Sequence, residues 1–529
     1  MAVDFIKTDD LTAYLLGQSR TSSLEEVDAA HWSWFHFKVC LIAGVGFFTD
    51  AYDIFAINIA ATMINYVYNQ GQEPRAPLGP LLKASAPVGT LVGQLLFGRL
   101  ADVAGRKRMY GVELIIIIIG TFGQALSAKG AIQTLNLYAI LIVWRFIMGL
   151  GIGGDYPLSA VISSEFAPSH IRGRMMTAVF ANQGWGQLSA SIVGVLVLLG
   201  FKNSATGRAT VTALQLQQDV DRAWRIILGL GCVPAAIALY FRLTIPETPR
   251  FTMDIERNVE QARKDIEGFL QTGKYKYDPD SMVIRVNAPR ASFRDFVQYF
   301  RHWRNGMLLF GCAYSWFAID VAFYGIGLNT DKFFCSIGFA QSVNTFDDFI
   351  NLCVANMFFS GVGLVLGYWA TFCVIDNVKW GGRKRIQMMG FAMLSVLFLI
   401  MGTLTKLSPG SKAMLALFCL AGFFLNFGPN TTTFIIPGEL FPTRYRSTCH
   451  GLSAASGKLG AIISQFGIVG PLSTAHALFV FVAFTLTGLG ATCLVEETNR
   501  KTLEHMSGEP QESFINGVSA SLTFAYLIY

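Results

Sequence analysis

Six ionisable side chains stand inside long apolar stretches of this 529-residue chain: Asp50, Asp53, Arg145, Asp155, Asp320 and Lys458. A charge at the centre of a bilayer costs roughly 2.5–3.5 kcal/mol, so each of them needs a partner or a task, and proton carriage is the usual task of a carboxyl group there. Around Asp320 the spacing says more. Trp316, Asp320 and Tyr324 follow at intervals of four, which sets them on one face of a helix over two turns. That face offers an indole N–H, a carboxyl and a phenol to one compartment. An aromatic stripe alone reads as core packing; an acid in its middle argues for a binding face.

The elements that must position these groups follow from composition. Only 14% of the residues are charged and 52% are hydrophobic, too little charge to cover a soluble protein of this length. Mainly apolar runs lie near 36–66, 81–100, 110–127, 135–162, 174–200, 223–244, 306–328, 349–374, 386–405, 412–438, 447–470 and 472–495. Each is long enough for a transmembrane helix. The expectation is an all-α membrane protein of twelve transmembrane helices: an N-terminal segment 1–35, a six-helix bundle 36–245, a central segment 246–305, a second bundle 306–495 and a tail 496–529. Basic residues gather after even-numbered runs (Arg99, Arg106, Lys107 and Arg108; Arg172 and Arg174; Lys379, Arg383, Lys384 and Arg385; Arg444 and Arg446). By the positive-inside rule both termini are cytoplasmic. The first thirty-odd residues are polar, so the first helix is expected to serve as the targeting signal.

The chain repeats itself. Asp102 leading into Gly105-Arg106-Lys107-Arg108 returns as Asp376 leading into Gly382-Arg383-Lys384-Arg385, and Glu165, Pro168 and Arg172 return with the same internal spacing as Glu439, Pro442 and Arg446, 274 residues later. Asp155 falls opposite Asn430 and Asp50 opposite Asp320. Two related halves are the economical explanation.

The run from Gly98 through Asp102 to Lys107 resembles the signature loop of the major facilitator superfamily; Arg145 to Gly151 and Pro246 to Arg250 look like further motifs of it, and Glu496-Glu497-Thr498 is an echo of the latter. The second-half loop, Asn377 to Gly381, departs from the pattern by its length. From Trp32 to about Glu504 the chain more closely resembles the phosphate:proton symporters of that superfamily, fungal type. The likeness rests on Phe48 to Asp53, Gly153-Gly154-Asp155-Tyr156-Pro157-Leu158-Ser159, Ala181-Asn182-Gln183, Tyr314 through Tyr324 and Phe427 to Thr432. The resemblance implies two pseudo-symmetric six-helix bundles around a midplane site in the plasma membrane, with inorganic phosphate and protons as partners. It implies a phosphate cage of Tyr156, Gln183, Trp316, Asp320, Tyr324 and Asn430. Neutral donors of these types can replace the hydration shell of an oxyanion, and Lys458 is expected to add one compensating charge. Asp50, Asp53, Asp155, Asp320 and Arg145 are candidates for proton coupling, with Arg145 expected to reach Asp50 across to the first helix. Asp102, Arg106, Glu165, Arg172, Asp376, Arg383, Glu439 and Arg446 are candidates for cytoplasmic gating. A carboxyl group beside phosphate takes up a proton more readily than one alone, so proton and anion binding favour each other there.

Other readings are a glycerophosphodiester:proton symporter or a phosphate sensor of the same fold. Gly149-x-Gly151-x-x-Gly154 spells a dinucleotide fingerprint, but it lies in a membrane run with no strand before it. Nine cysteines and seven histidines show no metal-ligand spacing, and no nucleophile–base arrangement stands out. No cofactor, no metal, no nucleic acid and no enzymatic activity are expected.

Overall fold

The computed structural model describes Ser22 and residues 24–69, 77–129, 136–206, 212–243, 247–254, 292–336, 345–407 and 413–508. Twelve of its helices are long and apolar enough to cross a membrane: α1 (Trp34–Asn69), α2 (Leu78–Ala104), α3 (Arg106–Ala125), α4 (Leu137–Phe166), α5 (Arg172–Lys202), α6 (Ala213–Arg242), α7 (Trp303–Gly327), α8 (Phe346–Val374), α9 (Arg383–Leu407), α10 (Ala413–Leu440), α11 (Arg446–Val469) and α12 (Thr474–Thr492). No strand occurs among the described residues. Helices satisfy their own backbone groups, which a bilayer cannot. Their outer faces expose Leu95, Ile119, Val143, Leu196, Ile237 and Leu399, surface suited to lipid rather than water. This is a multi-pass membrane protein.

Helices α1–α6 and α7–α12 form two bundles that meet along two seams, α2 against α11 and α5 against α8. At the first seam Gly98 lies against Gly451. A Cβ on Gly98 would stand 2.8 Å from the Ser447 carbonyl oxygen, so the backbones touch where only glycine fits.

One face gathers both ends of the described chain, and there the two bundles build the same knot twice. Gly105 and Gly382 adopt positive φ, a conformation glycine reaches without strain. Each turns the chain into an arginine that starts the next helix. Arg106 pairs with Asp102 at 3.3 Å and with Glu165 at 3.5 Å; Arg383 pairs with Asp376 and Glu439, both at 2.8 Å. The Thr248 hydroxyl donates to Glu165, and Thr498 donates to Glu439. The longer second loop does not prevent this. Its extra residues close on themselves through Gly381 N–H to Asn377 O at 3.0 Å and Gly382 N–H to Ile375 O at 3.1 Å.

Helix α10 is interrupted at Phe427-Gly428, and Pro429 restarts it, proline being favoured at a first helical position. The interruption frees the Asn426 carbonyl, which takes hydroxyl hydrogen bonds from Thr371 at 2.8 Å and Thr431 at 2.6 Å. Of the central segment, the described parts include short helices Pro249–Asp254 and Phe293–Arg301; residues 255–291 and the apolar tail end fall outside the described residues.

Candidate functional site

The face of α7 predicted from spacing is formed, and it points inward: Trp316, Asp320 and Tyr324 are each 1% exposed. Gly457 and Lys458 of α11 pack on it, and the Lys458 ammonium donates to Asp320 Oδ2 at 2.8 Å. The same ammonium lies 4.7 Å from the Tyr156 ring centre and 4.4 Å from that of Tyr324, two cation–π contacts that hold it between the bundles. From there neutral groups run on in a chain. The Tyr156 and Tyr324 hydroxyls are 3.3 Å apart. Gln183 Nε2 donates to Tyr156 at 3.0 Å, the Tyr368 hydroxyl donates to Gln183 Oε1 at 2.5 Å, and Asn430 Nδ2 donates to the Tyr368 oxygen at 2.9 Å. Asn430 also donates to Asn426 Oδ1 at 2.7 Å, so the break in α10 orients it. Tyr156 and Gln183 come from the first bundle, the others from the second.

Aromatic rings pack against these groups on both sides. Toward the face carrying the chain ends, Phe180 and Phe434 stack at 4.3 Å and Phe47 packs edge-on against both. Toward the opposite face, Phe55 stacks on Tyr324 at 6.0 Å. Sequence reasoning did not single out Tyr368 and Asn426. Both lack charge and sit in apolar runs; the Phe-Gly-Pro break beside Asn426 was the available signal.

A second polar cluster begins one residue away. Asp155 precedes Tyr156 on α4 and faces the other way, toward Arg242 of α6 at 2.6 Å. Arg242 also pairs with Glu113 of α3 and lies 4.0 Å over the Tyr110 ring. Ser159 donates to Asp155 at 2.5 Å. Asp50 of α1 adjoins the cluster, its carboxyl group beside that of Asp155 and within the field of Arg242. Three buried carboxyl groups therefore share one guanidinium.

The expected reach of Arg145 to Asp50 is not found. Arg145 donates to the Leu82 carbonyl at 3.1 Å and to Gln124 at 3.3 Å, and Asp53 accepts from Thr121 at 2.6 Å. Ten residues separate Arg145 from Asp155 on one helix, about 15 Å of rise, which puts Arg145 beyond Asp50's level. Arg242 is the cation at that level. It ends its apolar run next to a polar segment, where a sequence reader sees an interfacial anchor.

At the face of the chain ends, the gating candidates form a belt across the bundles. Arg446 pairs with Glu165 at 2.8 Å, and Arg106 donates to the Thr443 carbonyl at 2.8 Å. Asp102 accepts the Ser447 and Thr448 N–H groups that begin α11, at 3.2 and 2.7 Å; Asp376 accepts the Arg174 N–H that begins α5, at 2.8 Å. Each bundle thus caps a helix of the other with a carboxylate, where the helix dipole favours one. Arg172 binds Asp28 at 2.7 Å and the Lys501 carbonyl at 2.9 Å, while Arg250 bridges Asp28 and Glu504. Burial pushes the Glu504 carboxyl up, but the Arg250 guanidinium and the hydrogen bonds outweigh it and hold it at about 2. Burial raises Glu247 on the same face.

The chain matches the family model described as sugar (and other) transporter over residues 39–509. It is 47% identical over 521 residues to the repressible high-affinity phosphate permease of Neurospora crassa, covering 93% of this chain and 90% of that one. To the inorganic phosphate transporter PHO84 of Saccharomyces cerevisiae it is 44% identical over 524 residues, covering 93% and 87%. Among solved structures, the proton:xylose symporter XylE bound to 6-bromo-6-deoxy-D-glucose matches with a TM-score of 0.68 at 20% identity, covering 90% of this chain and 99% of that one. The inward open conformation of XylE from E. coli gives 0.60 at 20% identity, covering 89% and 99%.

Proposed function

The chain belongs to the sugar (and other) transporter family of the major facilitator superfamily, and we propose that it imports inorganic phosphate together with protons across the plasma membrane by alternating access. It is a transporter, not an enzyme. The face of the chain ends is cytoplasmic in this reading, since the basic loops lie there. Bundles 36–245 and 306–495 move as units about the cage.

One observation carries the reading: the Lys458–Asp320 pair, each side chain 1% exposed, inside a cage of neutral donors that both bundles supply. With Asp320 ionised, its charge is spent on Lys458. A proton on Asp320 dissolves the pair and frees the ammonium for phosphate, while the new carboxylic O–H can donate to a phosphate oxygen. Trp316, Tyr156, Gln183, Tyr324, Tyr368 and Asn430 offer polar groups without further full charge, so the anion is held but not trapped. Proton and phosphate then raise each other's affinity by the same factor, as linkage requires.

The second cluster supplies another proton-carrying place. Uncompensated charge in an apolar interior is costly, so charge balance among Asp50, Glu113, Asp155 and Arg242 favours holding protons there. Asp155 adjoins Tyr156, so a change of charge in the cluster reaches the cage through one residue of α4. Carrying phosphate monoanion inward against a negative interior costs about 2.3 kcal/mol per 100 mV. One proton cancels that charge and a second lets the potential help.

The cage is drawn in by its aromatic walls, which favours inorganic phosphate over a phosphodiester with an organic tail. The test is labelled phosphate uptake by purified protein in vesicles. An imposed inward proton gradient should accelerate uptake, and excess glycerophosphocholine should leave it unchanged. Uptake indifferent to the gradient would overturn the reading.

A further inference from the structure

At the face opposite the chain ends lies a cavity of about 370 Å³, lined among others by Asn65, Lys83, Asn329, Asp331, Lys332 and Gln465. Liquid water takes about 30 Å³ per molecule, so there is room for a tetrahedral oxyanion with several waters. Two ammonium groups and one carboxylate border it, an excess of one positive charge. Lys83 of α2, in the first bundle, grips both oxygens of Asp331 at 3.0 and 3.1 Å and donates to Asn329 at 3.2 Å; both acceptors follow α7 in the second. The pair therefore ties the bundles together at this mouth. Asn329 donates to Gln465 at 2.9 Å, and Gln465 donates to the Tyr324 carbonyl at 3.1 Å. Gln465 lies in a π-helical turn, Ser464–Val469, a local widening common at functional sites. The floor of the cavity, at Gln465, is thus one hydrogen bond from a wall of the cage.

We infer that this vestibule is an outer capture site for inorganic phosphate, in which Lys332 attracts the anion and phosphate competes with Asp331 for Lys83, loosening the outer tie between the bundles. This rests on the phosphate-import reading and its orientation. A tetrahedral anion reaching Lys83 removes the reason for Asp331 to cross between bundles. The rearrangement is passed down through Asn329 and Gln465 to Tyr324. The vestibule so couples arrival of the anion to opening of the way in.

The test is labelled phosphate uptake by full-length protein in vesicles at low ionic strength, with the Lys332→Gln, Lys332→Arg, Lys83→Gln and Asp331→Asn variants. Removing one unit charge at contact distance in water is worth about fivefold. Lys332→Gln should therefore raise KM about fivefold with kcat unchanged, Lys332→Arg should restore it, and the difference should vanish in high salt. Lys332 is partly exposed, so this substitution leaves the fold intact, and a monodisperse size-exclusion peak checks it. Asp331→Asn, which frees Lys83, should lower KM, whereas Lys83→Gln should raise it. If wild type transports phosphate while the Lys332→Gln and Asp331→Asn variants keep its KM at every salt concentration, the vestibule plays no part in capture and the import reading stands. No uptake by wild type would overturn both.

Discussion

Replacing Asp320 with asparagine separates phosphate binding from proton coupling. In wild type with Asp320 ionised, phosphate must draw Lys458 away from a carboxylate 2.8 Å distant, in a place where both side chains are 1% exposed. Removing one partner of such a buried pair costs about 3–5 kcal/mol, because the other charge is left uncompensated. In D320N that cost falls on the unliganded protein, and an arriving phosphate relieves it. At about 1.4 kcal/mol per factor of ten, phosphate binds roughly 10²- to 4 × 10³-fold more tightly at a pH where wild-type Asp320 is charged. The gain shows mainly as slower release, so turnover drops. Titration calorimetry on purified protein at pH 5.5 and 7.5 reads this directly: wild-type affinity should weaken as pH rises, and that of D320N should stay high. The D320N/K458M double variant carries no stranded charge and should lose the gain. Weaker binding by D320N with the wild-type pH profile would refute the reasoning.

Glu165→Gln replaces the charged acceptor of Arg446 and Arg106 in the belt. Hydrogen bonds to charged groups contribute about 1.5–3 kcal/mol, so the conformer open at the belt should gain roughly 10- to 150-fold in population. Distances between spin labels at the belt ends of α5 and α11 measure it, and an unchanged distribution counts against the belt as a gate. Tyr368→Phe removes the hydroxyl between Gln183 and Asn430 and should raise KM for phosphate about tenfold, the effect of one lost polar contact in a buried site, with the pH profile intact; an unaltered KM removes Tyr368 from the cage. Glu504 is held at about 2 against an ordinary value of 4.5. A lowered folded value means its stabilisation, about 3 kcal/mol, is complete above pH 4.5 and fades as pH falls toward 2. Thermal unfolding of Glu504→Gln in detergent should therefore lie well below wild type at pH 7 and approach it by pH 3; a constant gap refutes the pairing.

How much of this could be read from sequence depends on what each feature is made of. Long apolar runs and the 274-residue repeat are one-dimensional signals, and the twelve helices and the doubled knot at Arg106 and Arg383 follow from them. The inward face of α7 follows from spacing alone. Partner choice among buried charges does not, because it depends on which residues of different helices reach the same depth. That is why the sequence sets Arg145 against Asp50, whereas Arg242 stands at the level of that cluster. Tyr368 and Asn426 carry no charge to mark them in an apolar run. Asp28 and Glu504 sit at the two ends of the described chain in polar segments, and only the folded chain brings them to the same arginine.

The central claim is that one carboxyl group, Asp320, ties proton movement to phosphate movement. Adding phosphate to vesicles held at zero membrane potential, with a pH-sensitive dye outside, tests it most directly. Wild type should alkalinise the outer medium as labelled phosphate enters, and D320N should bind phosphate with no phosphate-dependent alkalinisation through that carboxyl. Equal proton uptake per phosphate in wild type and D320N would contradict the account.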